Sequence, residues 1–173
     1  MRRNFIIIVL LQVLLLVGII AYRQYWVATG ERVLLGTESV DPRDIFRGDY
    51  VTLNYDISSL DLTSLGITEH FRPGERLYVV LEKNPDDTYR AASVRKTLPA
   101  GGKFIQGRVS YVGEAKSKLL GVEYDIENYF VEEGKGRTIG ALRDAKSLKV
   151  EVSLRKDGKG IITGLLLDDK LIR

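Results

Sequence analysis

The hydrophobic and polar positions divide the chain into one long apolar run and a remainder of short alternating segments. Residues 5–22 are apolar apart from Gln12, and these 18 residues are just enough to cross a bilayer as a helix. The run ends in Tyr22, Tyr25 and Trp26, whose rings favour the level of the lipid headgroups. The pattern therefore predicts a membrane anchor within the first 26 residues.

The flanks of this run bear on its processing and its orientation. A cleaved signal peptide is the alternative interpretation, because a basic start followed by an apolar core is typical of both. The run does not end in small residues of the Ala-x-Ala type, which favours an uncleaved signal anchor. Arg2 and Arg3 precede the span, whereas Arg23 follows it close to Glu31 and Arg32. This charge bias predicts an N-terminus in the cytoplasm and a C-terminal domain outside it.

Beyond a short juxtamembrane connector expected at residues 27–32, alternating runs separated by turn residues indicate one β-rich domain over residues 33–173. Eight short strands are typical of an antiparallel β-barrel or sandwich. One helix is expected at 137–145 and a single turn at 58–66. The predicted strands are 33–39, 50–57, 76–83, 89–96, 104–112, 119–124, 148–155 and 160–167.

The clearest turn signal lies between the last two of these strands. It reads Asp157-Gly158-Lys159-Gly160, and its glycines readily supply the positive φ of a tight hairpin. The two flanking strands are therefore expected to pair with each other.

Composition excludes some classes of function. With 45% hydrophobic and 28% charged residues, the chain is of the ordinary globular kind. The first 26 residues hold three arginines and no acidic residue, so 23 basic and 23 acidic residues remain beyond them. A nucleic-acid-binding domain should show a basic surplus, and this balance argues against one. The chain has no cysteine, so a lipid-modified cysteine is not the tether.

One segment, DPRDIFRGDYVTLNY at residues 41–55, joins a charged turn to a strand. Gly48 and Asp49 suit an abrupt corner, because glycine takes positive φ and aspartate accepts backbone N–H bonds. Along the strand, Val51, Leu53 and Tyr55 share one face and alternate with polar positions. The candidate interaction residues here are Asp41, Pro42, Arg43, Asp44, Arg47, Gly48, Asp49, Tyr50, Leu53 and Tyr55.

Gly48, Asp49, Tyr50, Leu53 and Tyr55 match the signature of the bacterial GDYXXLXY family, which the chain resembles over most of its length. The resemblance implies a membrane-anchored protein with a β-rich domain outside the cytoplasm, at the bacterial inner membrane. Members are often encoded beside multi-span membrane proteins. This association implies an accessory role with such a partner, without catalytic activity and without a cofactor.

A second cluster, at residues 123–134, interleaves acidic and aromatic residues and resembles the later part of the same family. Its candidate interaction residues are Glu127, Tyr129 and Phe130. If this cluster meets the first one in space, Arg43 and Arg47 can pair with Glu127 or Glu132. The alternative is that Tyr124, Tyr129 and Phe130 are simply core residues, as aromatic stripes usually are.

A serine hydrolase related to signal peptidases is the alternative function. Ser39, three residues before Pro42 and followed by a Gly-Asp turn, resembles the start of such enzymes. A serine nucleophile of this kind needs a lysine whose pKa is lowered in an apolar setting. Lys83, Lys96 and Lys103 are the candidates by position, although each also reads as a solvated strand or loop end.

Other chemistry receives little support. His70 is the single histidine, and a zinc site would need carboxylate help that the sequence does not place beside it. Asp86 and Asp87, like Asp168 and Asp169, lack the alternating oxygen ligands of a strong calcium loop. No metal site is therefore predicted. The tripeptide Arg47-Gly48-Asp49 also occurs in ligands of adhesion receptors, but its glycine and aspartate already have a structural role here.

Overall fold

The computed structural model describes residues 2–38, 50–113, 118–130, 148–167 and 170–172. The chain forms two compact units, Met1–Gly30 and Glu31–Arg173. Each unit has its own architecture.

The N-terminal unit is a single helix, α1, over Arg2–Thr29. Its stretch Asn4–Thr29 is long and apolar enough to be a candidate membrane span, and 0% of its apolar window is buried inside the protein. The helix ends where the Gly30 N–H donates to the Trp26 carbonyl at 2.9 Å. The helix predicted at 5–22 is confirmed and extends beyond both predicted ends.

Twelve strands follow within the described part of the chain. Seven of the eight predicted strands are confirmed to within two residues at either end, because their alternating pattern is strong. The predicted strand at 50–57 is divided into two strands, and three short strands were not predicted. The observed strands are β1 Glu31–Glu38, β2 Tyr50–Thr52, β3 Asn54–Tyr55, β4 Ser59–Asp61, β5 Arg76–Lys83, β6 Tyr89–Arg95, β7 Lys103–Val112, β8 Leu119–Glu123, β9 Asn128–Phe130, β10 Leu148–Leu154, β11 Gly160–Leu167 and β12 Lys170–Ile172.

The link between the helix and the first strand is shorter than the sequence indicated. α1 continues through Thr29 and β1 begins at Glu31, so Gly30 alone lies between them. Val27 and Ala28 extend the helix, while Glu31 already pairs with β10. Residues 27–32 therefore do not form a separate connector.

The strands of the second unit form a curled, mainly antiparallel sheet, a half-barrel. Within the described residues, one path of hydrogen-bonded strands runs β12-β11-β10-β1-β6-β5-β7-β8-β4, with β3 also paired to β1. β1 and β6 meet in parallel at Leu35 and Tyr89, whereas the other pairs are antiparallel. The predicted mainly-β class is confirmed, with this single parallel contact as an addition.

The core lies along one face of the curled sheet. On β5, Leu77, Val79 and Leu81 are buried and alternate with exposed or half-buried positions. Leu35 and Ile105, from β1 and β7, are 0% exposed. Burying a side chain of this size contributes about 1.5–3 kcal/mol, so the alternating faces account for much of the stability of the unit.

The turn between β10 and β11 has the predicted hairpin form. Gly158 has a φ of +85°, and Leu154 lies opposite Gly160 across the hairpin. The Gly158 carbonyl also accepts the Gln106 N–H at 2.8 Å, so the turn docks onto β7. This contact joins the C-terminal hairpin to the middle of the sheet.

Two of the shorter predictions have different outcomes. The helix expected at 137–145 lies outside the described residues. The segment 58–66 consists of β4 followed by turns, in which the Asp61 carboxylate accepts the Thr63 N–H at 2.8 Å. The Gly66 N–H then donates to the Thr63 carbonyl at 3.1 Å, which closes a tight turn.

Candidate interaction site

The two clusters that the sequence singles out are neighbours in the fold. β2 and β9 form an antiparallel two-stranded ribbon, in which Tyr50 lies opposite Phe130 and Thr52 opposite Asn128. β2, which follows Gly48 and Asp49 in the chain, is therefore paired with part of the acidic and aromatic segment. We refer to β2 and β9 together as the ribbon.

The motif strand changes its pairing partner at Leu53. The Leu53 N–H donates to the Glu127 carbonyl at 2.7 Å, and beyond it Tyr55 of β3 lies opposite Thr37 of β1. Leu53 and Tyr55 are each 1% exposed, while Asn54 between them is exposed. These two motif residues were among the predicted interaction residues, but their burial gives them a role in the core instead.

Two identical tripeptides, Tyr55-Asp56-Ile57 and Tyr124-Asp125-Ile126, contact each other reciprocally. The Tyr55 hydroxyl donates to the Ile126 carbonyl at 2.6 Å, and the Tyr124 hydroxyl donates to the Ile57 carbonyl at 2.6 Å. Each tyrosine thus reaches the third residue of the other tripeptide. We call this pair of hydrogen bonds the tyrosine clamp.

The tyrosine clamp was missed at the level of sequence, although a signal for it exists. The sequence places Tyr124 at the end of the predicted strand 119–124 and in an aromatic cluster, with core burial as one alternative, and its 3% exposure agrees with that alternative. The repeated Tyr-Asp-Ile string, 69 residues apart, is the feature that marks the pair. A repeat of three residues is too short to indicate a contact by itself, and the contact is evident only from the structure, in which the two copies are adjacent.

Glu127 lies beside both ends of the clamp. Its carboxylate accepts the Tyr124 N–H at 2.5 Å. Burial chiefly, and the negative charge of Glu127 in addition, raise the pKa of the Tyr55 and Tyr124 hydroxyls well above the ordinary value. Both tyrosines therefore remain neutral hydrogen-bond donors, and the clamp persists at physiological pH.

These raised pKa values predict that alkaline pH destabilises the protein. An unfolded tyrosine loses its proton near about pH 10, whereas the folded hydroxyls keep theirs, so the stabilisation is present below that pH and is lost as pH rises above it. We expect each clamp tyrosine to add about 1.4 kcal/mol per pH unit to the fall in unfolding free energy. Denaturant unfolding of the detergent-solubilised chain between about pH 8 and pH 11 measures this slope.

The matched variant for this measurement replaces both Tyr55 and Tyr124 by phenylalanine. Lysines also titrate in this range, but the double variant keeps all of them. A shallower fall in the double variant is the expected result. Equal slopes in the two proteins would show that neither hydroxyl is linked to folding.

The ribbon and its flanks present a polar surface. Thr52, Asn54, Asp125 and Asn128 are exposed, and Tyr129 is half-buried against the core. Tyr129 alternates with Asn128 along β9, so its ring faces the core while the side chain of Asn128 faces away from it. An interaction site at this place stays a prediction.

Most of the charged turn lies beyond what the structure describes. The pairing of Arg43 or Arg47 with Glu127 or Glu132 stays a prediction. The predicted site residues outside the described ranges are Ser39, Asp41, Pro42, Arg43, Asp44, Arg47, Gly48 and Asp49.

Lys83 and Lys96, two of the candidate lysines, do not have the environment that a serine hydrolase requires. Lys83 Nζ lies 2.6 Å from Asp87 Oδ1, and this hydrogen-bonded carboxylate raises the pKa of Lys83, the direction opposite to activation. Lys96 Nζ lies 2.8 Å from Glu75 Oε1 and also donates to the His70 carbonyl at 2.6 Å. Both side chains are thus engaged as ordinary surface ion pairs.

The carboxylates considered for metal binding are engaged in turns. Asp86 Oδ1 accepts the Thr88 hydroxyl at 2.7 Å, and Asp87 pairs with Lys83. His70 is exposed in a loop. Across the described ranges, no three histidine, aspartate or glutamate side chains come together as metal ligands. Asp168 and Asp169 lie outside those ranges.

Comparison with known proteins gives one finding. The family model described as GDYXXLXY protein matches residues 12–165, which is most of the chain. The match begins within α1 and ends within β11, so it includes part of the candidate span together with the β-rich unit. Searches of curated proteins and of solved structures found no match.

Proposed function

Since the chain belongs to the GDYXXLXY protein family, we propose that it is a membrane-anchored accessory protein of the bacterial envelope. In this proposal α1 crosses the inner membrane once, with its N-terminus in the cytoplasm. The β-rich unit lies outside the cytoplasm and binds a multi-span membrane protein. It has no catalytic activity of its own.

The apolar surface of α1 is the observation that carries the proposal. Leu14 and Ile20, on different faces of the helix, are 74% and 68% exposed. Apolar side chains exposed on all faces of a helix are unfavourable in water and favourable in lipid. The mass of the mature protein separates an anchor from a cleaved leader, because an anchor keeps these residues.

The flanking charges support the proposed orientation. Arg2 and Arg3 precede the apolar stretch, and basic residues are enriched on the cytoplasmic side of membrane spans. Tyr22, Tyr25 and Trp26 mark the opposite end of the span with rings that favour the headgroup level. The β-rich unit, which begins at Glu31, follows on that side.

Two features support a membrane-protein partner. Gln12 places an amide in an otherwise apolar helix, and lipid cannot satisfy its hydrogen bonds. A side chain on a second helix can do so, with about 1–2 kcal/mol in model peptides. The second feature is the polar surface of the ribbon. Its strand β2 begins at Tyr50, which is a residue of the family signature.

Affinity purification of the tagged full chain in a mild detergent tests this proposal. We expect the wild type to recover one membrane protein reproducibly, as identified by mass spectrometry. Replacing Gln12 by leucine is expected to reduce its recovery by about tenfold, because a bond of this strength is lost. Replacing Arg43 and Arg47 by alanine is expected to reduce recovery as well.

A matched control moves the amide around the helix. Positions 12 and 14 lie about 200° apart on an α-helix, so the variant with both Gln12→Leu and Leu14→Gln keeps the composition but turns the amide away. Recovery in this variant should stay as low as in Gln12→Leu. If the wild type and all variants recovered the partner equally, the contacts assigned to Gln12, Arg43 and Arg47 would be contradicted. If the wild type recovered no specific membrane protein, the accessory role would be contradicted.

A further inference from the structure

The turn between β10 and β11 lies next to the point where the chain enters the β-rich unit. Glu31, the first residue of β1, is opposite Leu154, the last residue of β10. Residues 155–159 therefore continue beyond the start of β1. The turn is held in place, since the Arg155 N–H donates to the Lys159 carbonyl at 2.9 Å.

This turn is rich in basic residues. It contains Arg155, Lys156 and Lys159, and its one acidic residue is Asp157. Arg32, the second residue of β1, lies opposite Ser153, two residues before the turn, and adds a further basic side chain near it. We call Arg32, Arg155, Lys156 and Lys159 the proximal basic cluster.

Local acids neutralise only part of the cluster. Arg155 Nε donates to Asp157 Oδ1 at 2.7 Å, which lowers the pKa of that carboxyl and keeps it charged. Arg32 Nη1 lies 3.5 Å from Glu151 Oε1. Lys156 and Lys159 are exposed, and neither has an ion pair with another residue in the described ranges.

The position of these two lysines is informative because the β-rich unit as a whole carries no surplus charge. Beyond the first 26 residues the chain has 23 basic and 23 acidic residues. Lys156 and Lys159, which have no ion pair within the described ranges, thus place positive charge next to the entry point, near the exposed carboxylate of Glu31. Only Gly30 separates α1 from β1, so the start of β1 and the turn paired beside it are tied by a short covalent link to the end of the candidate span.

We infer that the proximal basic cluster binds the anionic headgroups of the membrane in which α1 is anchored. The occupant is a lipid phosphate surface, since the charges are complementary and the candidate span ends at Thr29, with only Gly30 between it and β1. Lysine and arginine side chains near an anionic membrane are attracted to it within a Debye length. The inference rests on the anchor in the proposed function and adds a second contact to the same membrane.

Lysine footprinting of the full chain in nanodiscs tests the contact without altering the protein. Discs of phosphatidylcholine alone are compared with discs that contain phosphatidylglycerol, and acylation of each lysine by an amine-reactive ester is followed by mass spectrometry. In anionic discs, Lys156 and Lys159 should react about fivefold more slowly, the factor that one lysine gains near an anionic surface. High salt should abolish the difference.

Lys118 provides an internal control. It is exposed and lies just before β8, near the end of β7, while the turn contacts β7 at Gln106, about 20 Å away along the strand. Its acylation should not depend on lipid charge. Replacing Lys159 by glutamine should weaken the protection of Lys156, whereas replacing Lys118 by glutamine should leave it unchanged.

The outcomes separate this inference from the anchor on which it rests. Equal acylation of Lys156 and Lys159 in both kinds of disc, or an equal change at Lys118, overturns the headgroup contact. A chain that does not co-elute with either kind of disc overturns the anchor itself. Selective protection of the two lysines in anionic discs supports both.

Discussion

Replacing Tyr55 by phenylalanine is expected to lower the free energy of unfolding by about 1–3 kcal/mol, because the buried Ile126 carbonyl then loses its donor. Tyr124→Phe should have a similar effect, since it leaves the Ile57 carbonyl without its hydroxyl partner. Denaturant unfolding in detergent, monitored by circular dichroism, measures both changes.

The matched control is Tyr129→Phe. Tyr129 is half-buried against the same core, but its hydroxyl makes no hydrogen bond in the described part of the chain, so its loss should change stability by less than about 0.5 kcal/mol. The double variant of Tyr55 and Tyr124 should lose less than the sum of the single losses, because both bonds join the same two segments. Tyr55→Phe with wild-type stability would refute the tyrosine clamp.

Gly158→Ala is expected to destabilise the β-rich unit by about 2–4 kcal/mol, for two reasons that add. Its φ of +85° is unfavourable for any residue with a Cβ atom. A Cβ at this position would also lie 2.9 Å from the Gln106 nitrogen and 2.9 Å from the Phe104 ring. The backbone bond that docks the hairpin onto β7 would then have to lengthen.

Gly102→Ala separates the two contributions. Gly102 has a φ of +82°, but an added Cβ would meet no atom within 4 Å. The free energy of unfolding of this variant should therefore fall only by the cost of a positive φ for alanine, about 1–2 kcal/mol. Thermal unfolding of both variants in the same detergent compares them directly. If the two losses were equal, docking of the hairpin onto β7 would contribute nothing measurable.

Local pattern predicted the strands well where a strand keeps the same neighbours along its length. β5 and β11 have the predicted bounds at both ends, because each is an apolar-rich run bounded by turn residues. The prediction of a single strand at 50–57 was wrong, because the segment is divided into β2 and β3. Its alternation is regular, but β2 pairs with β9 and β3 pairs with β1. A change of pairing partner does not alter the alternation of apolar and polar residues, so the sequence pattern does not reveal it.

The shortest strands were missed for a related reason. β4 and β9 have only three residues each, which is too short for alternation to differ from a turn. They are strands because β8 and β2 supply hydrogen-bond partners to them. Their existence depends on residues far away in the chain.

The sequence by itself determined the apolar helix, the mainly-β class and the closing hairpin. Each of these follows from local chemistry: the length of an apolar run, alternation along a strand, or the φ angles available to glycine. Such features need no knowledge of distant residues.

Only the tertiary structure decided that the two candidate segments form one ribbon, that Leu53 and Tyr55 belong to the core, and that the two Tyr-Asp-Ile tripeptides bond each other. It also placed the basic turn beside the entry of the chain into the sheet. The physical reason is that strand pairing and burial are contacts between distant parts of the chain, and a sequence pattern specifies which face is apolar but not which partner covers it.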